Sequence, residues 1–213
     1  DTVPVALPGS VLANGMTLKE VKLRGVPSYG MLCSETELGV ADQSDGIWIL
    51  PSDTPVGIDF IEYANLKDTI LDLAILPNRG DCLSLIGLAR EVSVLLEVPL
   101  KLPETDIKTT QRAISWEILS ESPQLCPFYQ GRFACDITAN ETPFWMTRRL
   151  QLSGIRPIHL LVDITNYVLL EYGQPLHAFD ADKCQGEQIV IRAAKGKETL
   201  VTLDGEKRPL TEG

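Results

Sequence analysis

Ser153–Asp180 reads SGIRPIHLLVDITNYVLLEYGQPLHAFD, and its punctuation decides how the second half of the chain folds. Leu160, Leu161, Ile164, Tyr167, Val168 and Leu170 recur at helical spacing. Gly173 and Pro175 then stop the pattern. The spacing predicts a helix ending near Tyr172. Just upstream, Thr142, Pro143 and Gly154 bracket another helix as N-cap, first-turn proline and C-terminal glycine. Arg132–Thr138, Gln188–Ala193 and Leu200–Leu203 read as strands, and Asp204-Gly205 is a strong hairpin turn. The second half is therefore expected to be α+β, with antiparallel strands and two or more helices.

Working back towards the start, the pattern changes. Val3–Leu7, Val21–Leu23, Met31–Cys33 and Ile47–Leu50 are short apolar runs, each closed by a turn signal, which argues for a small β-sandwich or barrel. Ile70–Leu76 reads as one more strand, closed by Pro77. Leu83–Val98 carries apolar residues at helical spacing with Asp81 as a credible N-cap. Pro99–Gln111 has no periodicity and two prolines, and reads as a linker. The expected organisation is a barrel-like region over 1–68, a strand-turn-helix and linker over 69–105, and an α+β module over 106–213.

The 213 residues and 44% hydrophobic content suit a folded chain rather than a disordered one. Five cysteines form no CxxC pair and leave one over in any disulfide scheme, which favours reduced thiols in a cytoplasmic setting. No apolar run is long enough for a membrane span. The net charge of −10 does not suggest nucleic acid, and it is concentrated early: residues 1–68 carry four Lys/Arg against ten Asp/Glu. Thr142–Val162 is the exception, holding Arg148, Arg149, Arg156 and His159 with no acid. That stretch is either a basic strip able to meet RNA phosphates or the exposed face of a structural helix. GxGxxG, Walker, HExxH and GxSxG patterns are all missing, which removes most nucleotide-binding, zinc-hydrolase and serine-hydrolase readings.

What remains is a polar cluster in an apolar stretch: Asp163, Thr165 and Asn166, followed by His177. Thr165 and Asn166 fall mid-helix, where their side chains compete with the backbone and add little stability. Two explanations stay open. Asn166 and His177 satisfy buried backbone groups around the Gly173–Pro175 turn, or a hydroxyl, a carboxamide and an imidazole together position a water and an ester carbonyl with no covalent nucleophile. A second constellation, Pro77–Asp81, is a tight turn feeding a helix N-terminus, which suits either an anion or a plain N-cap. Trp48, Trp116 and Trp145 read as packing.

As strings, four segments resemble the bacterial phenylalanyl-tRNA synthetase β-subunit family, in the same order and at similar spacing. They are SYGMLCSETELG (Ser28–Gly39), LDLAILPNRGDCLSLIGLARE (Leu71–Glu91), the Ser153–Asp180 stretch, and LVTLDGEKRPL (Leu200–Leu210). The resemblance implies an internal piece of that subunit: part of an OB-like tRNA-binding-type barrel, the strand-turn-helix after it, and the first part of the B3/B4 editing module. It implies that Thr165, Asn166 and His177 are editing-pocket residues for hydrolysis of Tyr-tRNA(Phe), with a glutamate and small lining residues supplied from further downstream. On that basis both the barrel and the editing site are expected to be incomplete in these 213 residues. His159 stands where relatives often have Asn.

The implied partners are the α subunit, in an α2β2 enzyme, and tRNA(Phe), with no DNA and no membrane. ATP and magnesium would belong to the α subunit's aminoacylation site, with no cofactor or metal in this piece. The alternative for this stretch taken alone is a non-catalytic tRNA-binding and scaffold module, with Arg148, Arg149 and Arg156 facing the RNA.

Overall fold

In chain order the elements are β1 (Val5–Ala6), β2 (Val21–Leu23), β3 (Val26–Ser28), β4 (Met31–Leu32), α1 (Phe60–Tyr63), α2 (Leu85–Leu96), β5 (Glu117–Ser120), α3 (Phe144–Leu152), α4 (Leu160–Tyr172), β6 (Gln188–Ile191), β7 (Glu198–Val201) and β8 (Lys207–Leu210). The structure is a computed structural model that describes residues 1–107 and 114–211. The end of the expected Pro99–Gln111 linker, from residue 108, lies outside the described residues. The chain divides into two units, Asp1–Ala74 with Pro143–Pro157, and Ile75–Thr142 with Ile158–Gly213.

In the first unit β1 pairs antiparallel with β4, and β2 with β3. The β2–β3 turn is Arg24-Gly25, both at positive φ (52° and 85°), the backbone that a tight hairpin matching the strand twist requires. Ile47–Leu50, read as a strand, makes an isolated bridge from Leu50 to Thr2 and one backbone bond from the Trp48 amide to the Cys33 carbonyl. Ile70–Leu76 pairs with nothing among the described residues and is not a strand. An extended apolar run becomes a strand only when an edge takes its hydrogen bonds. The described sheets are two-stranded and none closes into a barrel.

Side chains rather than sheet hold the unit together. Trp48 packs edge-on against Phe60 (5.4 Å between ring centres) and Phe144 (4.9 Å), arrangements that add to simple area burial. Asp59 caps α1, accepting from the Ile61 and Glu62 amides. α3 buries Met146 and Leu150, one turn apart on a single face. Its C-terminal Gly154 takes the expected left-handed conformation (φ 77°). Its N-terminus differs from expectation: Pro143 sits at the cap position, and the Thr142 hydroxyl donates to Asp163 instead of capping α3. Cys33 is fully buried, and that burial pushes its thiol pKa up.

In the second unit a 3-10 turn, Gly80–Cys82, leads into α2. Ser84, not Asp81, is the N-cap, its Oγ accepting from the Gly87 amide at 3.1 Å. Asp81 is drawn away by Arg79, whose guanidinium reaches Asp81 (2.8 Å) and Glu91 (2.6 Å). The hydrogen bond from Arg79 holds the Asp81 carboxyl down at about 2. The intervening 3-10 turn makes α2 start at Leu85, later than its apolar periodicity begins. α2 packs against α4.

Strand pairing in this unit corrects the sequence reading in two places. β5 and β6 run parallel, not antiparallel, in register from Glu117 opposite Gln188 to Ser120 opposite Ile191. A parallel pair needs a long crossover, and here the connection contains both α3 and α4. Arg132–Thr138 carries no strand, while β5, which the pattern did not single out, does. β7 and β8 form the expected antiparallel hairpin, with Gly205 at φ 81° in its turn.

At the start of that hairpin Arg192 forks onto Glu198 with contacts of 2.9 and 2.8 Å, and this bond holds the Glu198 carboxyl at about 2. The folded carboxyl lies below the unfolded value of about 4.3. Its contribution is therefore complete above that value and is lost as pH falls towards about 2. In an NMR titration of side-chain carboxyls, Arg192→Gln is expected to move Glu198 up towards the ordinary glutamate range, with the Lys195 amide still holding it partly down. A Glu198 titration that does not move would show that Arg192 is not what holds it.

Among the described residues no helix is long and apolar enough to cross a membrane, and all five cysteines are free thiols.

Candidate functional site

The candidate site is built on α4. The helix begins at His159, whose Nδ1 accepts from the Leu161 amide at 3.3 Å, and ends at Gly173, left-handed at φ 74°. A Cβ at Gly173 would sit 3.3 Å from the Ser84 Cβ, so a larger residue would press on the start of α2. Asp163, in the first turn, is 1% exposed.

Thr165 and Asn166 occupy consecutive, half-buried positions of this helix. The Thr165 hydroxyl donates to the Val162 carbonyl at 2.7 Å, the local bond that a mid-helix threonine makes when no other acceptor claims it. His177 follows the helix in an extended, exposed segment, its ring centre 5.7 Å from that of Phe179. Among the described residues no hydrogen bond joins the three. Asp180, the nearest acid in sequence, is engaged elsewhere: its carboxylate accepts from the Asp182 amide and pairs with Lys183 at 3.0 Å, which lowers its pKa. Among the described residues no carboxylate is hydrogen-bonded to His177.

The basic residues of α3 and its exit differ in their surroundings. Arg149 lies 5.2 Å over the Trp145 ring, a cation–π contact. Arg148 is half-buried, with its Nε enclosed and unbonded, as is the Gln151 Oε1. Arg149 and Arg156 are exposed.

Two other features bear on ligands. A cavity of about 780 Å³ lies in the first unit, lined by residues such as Val5, Leu7, Leu12 and Phe60, and its lining includes none of the candidate residues. Asp81, Cys82 and Glu91 bring ligand-type atoms within 4.8 Å of one another. Arg79 donates to all three, reaching the Cys82 Sγ at 3.1 Å. A site occupied by a guanidinium and including a thiol does not fit magnesium, which takes hard oxygen ligands. The Pro77–Asp81 turn is likewise internally neutralised by Arg79, which favours its structural reading over anion binding.

The family model for the B3/4 domain matches residues 125–213, the stretch that contains α3, α4 and the His177 segment. The phenylalanine–tRNA ligase beta subunit of Oleidesulfovibrio alaskensis is 45% identical over 211 residues, 98% of this chain and 26% of that protein. Those of Geobacillus kaustophilus and Geobacter sulfurreducens are 47% and 46% identical, over 99% and 100% of this chain and 27% of each relative. The chain belongs to the phenylalanine–tRNA ligase beta-subunit family. It spans about a quarter of the length of these curated relatives. Within the family frame, α4 and the His177 segment lie inside the B3/4 match, whereas β1–β4, α1 and α2 lie ahead of it.

Proposed function

We propose that the B3/4 part of this chain forms part of a pocket that hydrolyses the ester of Tyr-tRNA(Phe), and that Thr165, Asn166 and His177 are its contributing residues here. The observation that carries the reading is the position of the Thr165–Asn166 pair: two polar side chains half-buried mid-helix within the B3/4 match. The chemical need is clear, because an apolar pocket made for a phenyl ring rejects the same ring bearing a hydroxyl by only about 10²-fold. A second, polar pocket supplies the remaining discrimination.

In this scheme a water attacks the ester carbonyl carbon, the terminal ribose oxygen leaves with a proton, and tyrosine and tRNA are released. The Asn166 carboxamide and the His177 imidazole hold the ester and the attacking water, and the Thr165 hydroxyl precedes Asn166 on the same helix. No covalent nucleophile is required. The complete enzyme would be an α2β2 assembly in the cytoplasm, with phenylalanine, ATP and magnesium handled by the α subunit. The first unit would be part of an OB-like barrel that meets tRNA. A scaffold and tRNA-binding role is the second reading, favoured by the exposure of Arg149 and Arg156.

The deciding experiment is deacylation of Tyr-tRNA(Phe) by the full-length β subunit in its α complex. Thr165→Ala and His177→Ala are each expected to slow hydrolysis by about 10²-fold, the scale of losing a positioned proton-handling or orienting group. Phenylalanine charging should be retained. Full hydrolysis by both folded variants would leave the scaffold reading.

A further inference from the structure

Asp163 is the most deeply buried polar side chain among the described residues, at 1% exposed. A carboxylate so enclosed is costly unless donors surround it. Its Oδ2 accepts from the Thr142 hydroxyl at 2.5 Å, and its Oδ1 accepts from the Ile158 amide at 2.8 Å. Its place in the first turn of α4 adds the positive end of the helix dipole. The identity of the two donors matters. The chain leaves the second unit after Thr142 and re-enters it at Ile158, and one carboxylate bonds both residues. Thr165 and Asn166 follow immediately on the same helix.

We propose that Asp163 is a positioning residue for the ester-hydrolysing pocket. By tying both ends of the 143–157 excursion to the first turn of α4, it fixes where Thr165 and Asn166 are presented. This inference rests on the role given above to those two residues. Asp163 itself does not meet the substrate, since both its oxygens are engaged and its side chain is enclosed. Without the carboxylate, the Thr142 hydroxyl and the Ile158 amide lose their shared acceptor, and the start of α4 loses its tether to both.

The test compares Asp163→Ala, Asp163→Asn and Thr165→Ala in the full-length β subunit bound to α. The readouts are the kcat and KM of Tyr-tRNA(Phe) deacylation and the hydrogen exchange of the Ile158 amide. Asp163→Ala is expected to speed exchange at Ile158 by at least about tenfold. It should lower kcat by about 10- to 100-fold, the cost of misplacing a catalytic group by around an ångström, with KM within about threefold. Asparagine keeps an acceptor for Ile158 and offers the Thr142 hydroxyl a donor, so Asp163→Asn should stay within about threefold of wild type in both readouts.

Three results overturn the proposal. One is a folded Asp163→Ala protein with unchanged kcat while Thr165→Ala is impaired, which removes the positioning role and leaves the pocket in place. Another is an Asp163→Asn protein that restores Ile158 protection yet is as slow as Asp163→Ala. If Thr165→Ala is itself fully active, the pocket reading has failed and the positioning role falls with it.

Discussion

Gly87→Ala is expected to destabilise the chain by about 3 kcal/mol or more, the upper range for forcing an extra carbon into a packed site. Intrinsic propensity points the other way, since alanine is favoured over glycine inside a helix by about 1 kcal/mol. Geometry decides the sign. A Cβ at Gly87 would lie 1.7 Å from the Asp81 carbonyl oxygen and 2.7 Å from its carbon. Both are backbone atoms of the 3-10 turn, so no rotamer change relieves the overlap.

Either the turn or the first turn of α2 must move. Moving the turn displaces Arg79 and its ion pairs with Asp81 and Glu91. Moving the helix breaks the Ser84 cap, whose loss alone costs about 1 kcal/mol. Urea denaturation followed by far-UV circular dichroism, with Ser84→Ala measured alongside, separates the two contributions. A Gly87→Ala chain as stable as wild type would mean that the Gly80–Cys82 turn does not lie against α2.

Leu150→Ala is expected to cost about 2–5 kcal/mol, the range for truncating a fully enclosed leucine, with the exact value set by how far the site collapses. Leu150 is 0% exposed, and with Met146 it forms the buried face of α3 in the unit whose aromatic cluster joins Trp48 to Phe60 and Phe144. Val94→Ala is the control. That side chain is 77% exposed on α2, and its truncation should change stability by no more than about 0.5 kcal/mol. Tryptophan fluorescence during urea unfolding reports both variants. A Leu150→Ala loss below about 1 kcal/mol would mean that α3 is not a core element of the first unit.

The parts of the fold legible in the sequence were those whose signal is local. α2 and α4 announced themselves by apolar spacing, α3 and α4 by the glycines at 154 and 173, and the last hairpin by Asp204-Gly205. What escaped depends on a distant partner. Ile70–Leu76 has strand composition but no neighbour to pair with among the described residues, and β5 acquired one only because β6, far along the chain, runs beside it in parallel.

The two capping errors have the same origin. Asp81 and Thr142 are good cap residues, but Arg79 claims the first and Asp163 the second. At the site, the cost of placing Thr165 and Asn166 mid-helix was readable from their residue types. The engagement of Asp180 with Lys183 was not, because the sequence does not show whether an acid three residues from a histidine turns towards it or towards a nearby lysine.

The discontinuous make-up of the first unit has a consequence during synthesis. Its helix α3, with the enclosed Leu150, belongs to Pro143–Pro157, so the unit cannot be finished when Ala74 is made. The ribosome must first produce all of 75–142, which at roughly 5–20 residues per second takes on the order of ten seconds. Throughout that interval Trp48 lacks its ring contact with Phe144, the first residue of α3.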